Sequence, residues 1–143
     1  MGVPATSLSD LAGTHWTGSA ELWLDPLGDQ VVRSDSTISV EPDLVRYTWS
    51  HEGRPHEGSI RLRSDHAEFT DSWHQAEPMR CRAVPGAWGL LQVQGEYGPE
   101  ADWGWRIGLS LRSPSGELVL QMTNVAPWGE EVRAVRMICR REE

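Results

Sequence analysis

Along most of this chain apolar and polar residues alternate with a period of two, the period of a half-buried strand. Over residues 14–24, Trp16, Gly18, Ala20, Leu22 and Leu24 share one face. Asp25-Pro26-Leu27-Gly28-Asp29 then reads as a turn. A second strand is predicted over 36–40, with Ile38 and Val40 together, and a third over 44–51, with Val45, Tyr47, Trp49 and His51 on one side. Glu52-Gly53-Arg54-Pro55 turns the chain into 56–63, where Gly58, Ile60 and Leu62 align. Ala67, Phe69, Asp71 and Trp73 define the next face. A short strand over 79–84 is closed by Pro85-Gly86, and 88–97 follows. Over 102–112 the residues Trp103, Trp105, Ile107, Leu109 and Leu111 alternate without a break. Ser113-Pro114-Ser115-Gly116 is a hairpin loop. Leu118, Leu120 and Met122 line the next strand, Ala126-Pro127-Trp128-Gly129 ends it, and 132–140 is the last strand.

Short alternating segments with frequent turn signals predict an all-β domain of about ten strands. An antiparallel up-and-down meander of this length is best served by closing into a single calycin-like barrel, because closure removes the unpaired edges that invite aggregation. Residues 1–13 read as an N-terminal arm, in which Leu8-Ser9-Asp10-Leu11 forms one helical turn that plugs an opening. Residues 14–143 are the barrel domain.

Composition narrows the function. The formal net charge is -8 and all 13 basic residues are arginine. An acidic surface argues against nucleic acid and against anionic membrane as partners. The absence of lysine excludes Schiff-base chemistry on that side chain. Cys81 and Cys139 fit no zinc or redox spacing and read as buried apolar residues in a reduced cytoplasm. No signal-peptide core or membrane-length apolar run is present. Met1-Gly2-Val3-Pro4-Ala5-Thr6 matches a myristoylation pattern, but no basic patch supports a single acyl chain. Oligomeric state is not readable from the sequence.

Gly13-Thr14-His15-Trp16-Thr17-Gly18 opens the first strand after a short arm. It resembles the start of a calycin barrel, the superfamily of lipocalins, fatty-acid-binding proteins and nitrobindin-like haem barrels, where a glycine precedes a tryptophan that packs across the barrel floor. The chain is also similar to uncharacterised bacterial lipocalin-like proteins through Glu21-Leu22-Trp23-Leu24-Asp25-Pro26-Leu27-Gly28, Thr70-Asp71-Ser72-Trp73-His74-Gln75 and Pro127-Trp128-Gly129-Glu130. The resemblance implies a barrel with an interior ligand site. Two residues separate Gly13 from Trp16, where lipocalins have one. The nitrobindin-like barrels hold haem through a late histidine; none follows His74 here, so neither haem nor any other cofactor is expected. Fatty-acid binders clamp a carboxylate with an arginine and a tyrosine in the last strands. Arg136 supplies the arginine, and no tyrosine follows it.

The chemistry-bearing candidates lie on the tryptophan-rich faces. Eight tryptophans in 143 residues either pack an aromatic core or line a pocket. Trp49, Trp73, Trp103, Trp105 and Met122 fall on the apolar faces of their strands, with polar contacts available from Tyr47, Asp71, Asn124 and Arg136. Gly18 and Gly58 leave room beside them. Asp71 alternates with Phe69 and Trp73, so an inward face would set a carboxylate between two rings. Such a group serves as a neutral acid or as an anion holding a cationic or hydroxylated ligand. The alternative is that it pairs with Arg136 or caps a turn. In the last strand either register leaves an arginine close to the interior. His51 and His56 flank a hairpin turn and could face each other, but no third ligand stands at a diagnostic spacing, and no metal is expected. The leading expectation is a barrel that binds a small, partly aromatic or amphipathic molecule. One alternative is a cofactor-free enzyme, a cyclase, isomerase or hydrolase, with Asp71 as its catalytic acid or base. The other is a protein-interaction module using the Trp23 and Trp128 edges.

Overall fold

In a computed structural model, which describes residues 7–142 apart from 24, 26–28, 73–74, 85–88 and 113–114, the chain forms ten strands. Only the backbone is described at positions 75 and 76. The strands are β1 (Thr14–Trp23), β2 (Val31–Glu41), β3 (Leu44–His51), β4 (Arg54–Leu62), β5 (Ala67–Asp71), β6 (Gln75–Ala83), β7 (Leu91–Tyr97), β8 (Trp103–Arg112), β9 (Glu117–Val125) and β10 (Glu131–Arg141). Each pairs antiparallel with the next, and β10 pairs with β1, so the sheet closes into an up-and-down barrel. Among the described residues no helix is long and apolar enough to cross a membrane.

Where alternation is clean, strand limits follow it, as in β3. Where it is diluted by polar residues they do not: β2 begins at Val31, because Val31, Arg33 and Asp35 lie opposite Trp23, Glu21 and Ser19 of β1. The β3–β4 connection is only Glu52-Gly53, both with positive φ as in a type I′ hairpin turn, so β4 starts at Arg54.

One end of the barrel is closed by the N-terminal arm, whose single 3-10 turn is Leu8–Leu11. Leu8 and Leu11 are buried in the core. Trp16 lies beside them, and its indole N–H donates to Thr14 Oγ1 at 2.8 Å, while that hydroxyl donates to the Leu11 carbonyl at 2.6 Å. The floor tryptophan is thereby fully partnered and tied to the plug. Above this floor the inner positions are mostly aliphatic: Ile38, Val40, Val45, Ile60, Leu109, Leu118, Leu120 and Met137 are all buried. Burying such side chains is the main source of stability.

Both cysteines lie in this dry layer, and burial pushes each thiol up to about 11. Neither supplies a thiolate nucleophile near neutral pH. We expect Cys81 and Cys139 to resist a thiol reagent at pH 8 in the native protein and to react at once in denaturant. Native labelling faster than unfolding would contradict their placement.

Candidate functional site

The inner face changes character toward the end opposite the plug, the mouth half of the barrel. Counting away from the plug, β3 presents Val45, Tyr47, Trp49 and His51, and β4 presents Ile60, Gly58 and His56 opposite them. β5 adds Phe69 then Asp71, β7 Val93, Gly95 and Tyr97, β8 Ile107, Trp105 and Trp103, and β9 Met122 then Asn124. Aliphatic residues thus fill the plug half, and rings with polar groups gather in the mouth half.

The most defined contact there crosses three strands. Tyr47, Gly58 and Asp71 are aligned by register on β3, β4 and β5. The Tyr47 ring lies over Gly58, where a Cβ would come within 2.7 Å of Cε2 and nearer still to the phenol end. Its hydroxyl donates to Asp71 Oδ2. Tyr47 is 1% exposed and Asp71 4%. Burial, reinforced by the Asp71 charge and by the hydrogen bond to it, raises the Tyr47 phenol well above the usual tyrosine range. Tyr47 therefore remains a hydrogen-bond donor. A carboxylate has about four acceptor positions, so Asp71 can accept from more than one donor at once.

Around this pair stand the rings. Trp49 stacks on His56, its register partner, at 4.4 Å between centroids and 24° between planes. Trp105 faces Gly95 on one side and Asn124 on the other, and it stacks across the interior on Phe69 at 6.4 Å. The Tyr97 hydroxyl donates to Asn124 Oδ1, and burial raises its phenol above the ordinary value. Ser36 Oγ is buried on the inner face of β2 with no hydrogen-bond partner among the described residues. A buried polar atom of that kind marks a place for a water or a ligand group.

The structure therefore brings Tyr47, Trp49, Asp71, Trp105 and Asn124 to the mouth half, with Met122 buried one step deeper beside Ile107 and Val135. Trp73 lies outside the described residues. Arg136 is a correction. It sits opposite Glu21 and Gln121 on the outer face, lining a shallow depression of about 270 Å³ with them and Arg133. Val135, Met137 and Cys139 take the inner positions of β10. That register would bring Arg133 inward, but the pairing shifts between Arg133 and Val135. The extra residue returns Val132 to the inner face opposite Asn124 and leaves Arg133 outside, 4.5 Å over the Trp23 ring. Neither arginine reaches the interior, so the alternative in which Asp71 pairs with Arg136 does not hold, and Tyr47 is the side chain bonded to Asp71. Trp23, covered by Arg133, is not a bare edge.

Two further expectations change. The space beside Gly58 is taken by the Tyr47 ring, and that beside Gly18 by the β10 backbone, so neither glycine opens a cavity. His51 lies opposite Arg54 and not His56. Among the described residues no group of three His, Cys, Asp or Glu side chains is placed to hold a metal. Tyr97 and Ser36 do not stand out as site residues in the sequence, and His56 does so only as a possible partner of His51. Tyr97 had a signal, since it alternates with Gly95 and Val93 on an apolar face. A hydroxyl-rich groove of about 490 Å³ also runs over the outside of β2–β5, where Thr37 bonds Thr48 and Ser59 bonds Thr70. No protein-family model matches the chain, and no curated protein does.

Proposed function

We propose that this protein is a calycin-like binding barrel that holds a small aromatic or amphipathic molecule in the mouth half of its interior, by rings and by a hydrogen-bond donor or cation directed at Asp71. The observation that carries this reading is the buried Tyr47–Asp71 contact among Trp49, Trp105 and the Tyr97–Asn124 pair. A few oriented polar groups in an aromatic surround are the usual make-up of a small-molecule site. Ten antiparallel strands closed in sequence order, with a plug beside a floor tryptophan, support kinship with the lipocalin and fatty-acid-binding barrels. The net charge supports a ligand other than nucleic acid or anionic membrane, and two buried free thiols support a cytoplasmic setting. The reading calls for no cofactor.

Native mass spectrometry of protein purified from its own host should show a co-purifying small molecule, and stripped protein should show tryptophan quenching when it is returned. Asp71→Asn should weaken that binding about tenfold or more while the fold persists, because a charge-assisted hydrogen bond becomes a neutral one. Unchanged affinity in a folded Asp71→Asn variant would remove Asp71 from the site. Loss of a turnover with binding retained would instead make it a catalytic group.

A further inference from the structure

Trp128 is 72% exposed, in the 126–129 turn that follows β9 at the end opposite the plug. A single exposed apolar side chain is ordinary in itself; what sets Trp128 apart is that its ring is not isolated. It is the outermost ring of a continuous series. Trp128 meets Trp103 edge-on at 5.6 Å and 77°. Trp103 meets Tyr97 at 6.2 Å, Tyr97 meets Trp105 at 6.5 Å, and Trp105 meets Phe69 at 6.4 Å. All four spacings lie within the range of attractive ring pairs. Exposure falls along the series to 8% at Trp105 and 1% at Phe69. The path thus leads from bulk water to the level of Asp71, which follows Phe69 on the inner face of β5.

The charge around its outer end has a sign. Asp102 Oδ1 and the edge of the Trp103 ring both lie within 3.9 Å of the position that a Cβ on Gly98 would take. Glu100 and Glu130 are exposed in the two flanking loops, and Glu131 is held by Arg106. The other rim arginines are placed elsewhere: Arg133 over Trp23, and Arg54 at the start of β4, across the ring of strands. Aromatic faces flanked by carboxylates attract cations, and a cation that is itself planar and aromatic can in addition stack on the rings.

We infer that Trp128 and Trp103 form an outer subsite for a planar aromatic cation, and that the ring series is the path by which it reaches the interior. This rests on the interior binding proposed above. A subsite on the path stabilises the encounter and the departing ligand alike, so its loss slows both directions and leaves the equilibrium nearly unchanged.

The test is stopped-flow binding of 9-aminoacridine, which is cationic at pH 7, read by its own emission so that removing a tryptophan does not alter the reporter. Neutral acridine and acridine-9-carboxylate serve as isosteres. Trp128→Ala should lower the association and dissociation rates by about fivefold each, with Kd within about twofold. Trp128→Phe should restore the rates, Trp128→Leu should not, and the melting temperature should hold in all three. The cation should associate fastest, and the carboxylate slowest. An unchanged association rate in Trp128→Ala, or full rescue by leucine, would overturn the path. A carboxylate that associates as fast as the cation would overturn the ligand class. If the unaltered protein binds none of the three dyes while its co-purified ligand still binds, this inference fails alone; if nothing binds, the interior reading fails with it.

Discussion

Replacing Gly18 by alanine should open the barrel. Gly18 lies in β1 opposite Cys139 of β10, on the seam where the last strand meets the first. A Cβ there would stand 2.7 Å from the Cys139 Cα and closer still to the Ile138 carbonyl oxygen. Both obstacles are backbone, so no side chain can rotate away, and relief requires β1 and β10 to separate. That separation weakens the closing ladder and uncovers the two edges that closure had removed. We expect a cost of about 3 kcal/mol or more, a melting temperature lower by about 10 °C, and a tendency to aggregate. Gly108 provides the comparison. It is also a strand glycine, but an added Cβ would find only the Leu91 carbonyl oxygen, at 4.0 Å. Gly108→Ala should melt close to the unaltered protein. A thermal scan in which Gly18→Ala matches Gly108→Ala would show that the seam is looser than described.

What could be read from the sequence divides along a physical line. Alternation specifies which residues share a face, so the strands, the apolar faces and the grouping of Trp49, Asp71 and Trp105 were legible. The plug was legible because Leu8 and Leu11 stand three apart, on one side of a helical turn. Alternation says nothing of which strand lies opposite at which residue, and the details of the site depend on that. Tyr47 is the partner of Asp71 only because β3, β4 and β5 align at Tyr47, Gly58 and Asp71. Gly58 was the available hint, and it reads equally as space for a ligand or for a neighbouring ring. The β10 shift was illegible for a different reason. No glycine or proline marks Arg133-Ala134-Val135, yet one extra residue there decides whether an arginine points into the barrel or out of it. Among the described residues, Asp71 consequently stays inside while Arg133 and Arg136 both stand outside. Trp128 was legible as an exposed turn residue, whereas its contact with Trp103 depends on how two loops meet at the rim.

Tyr47→Phe should produce the largest effect on how stability varies with pH. At neutral pH it removes a donor from a buried carboxylate, which should cost about 2–3 kcal/mol. The alkaline limb carries the sharper signature. The folded-state phenol of Tyr47 is raised well above the value near 10 that it takes in the unfolded chain. Above pH 10 the unfolded chain releases this proton while the native protein keeps it, so native protein binds more protons and stability falls as pH rises. The contribution is complete below about pH 10 and is lost progressively as pH climbs toward the folded-state value, with a limiting slope of about 1.4 kcal/mol per pH unit. Phenylalanine has no proton to lose. The stability gap between the unaltered protein and Tyr47→Phe, measured by urea unfolding at successive pH values, should therefore stay constant to about pH 10 and then narrow. The chain has no lysine, and the shifts of Tyr97, Cys81 and Cys139 are common to both proteins and cancel in the difference. Gly58→Ala, which pushes on the same ring from below, should lower stability at neutral pH and flatten the alkaline limb in the same way. A gap that is independent of pH, or that widens above pH 10, would mean that the Tyr47 hydroxyl is not held against a buried Asp71 carboxylate, and the proposed site would lose its central contact.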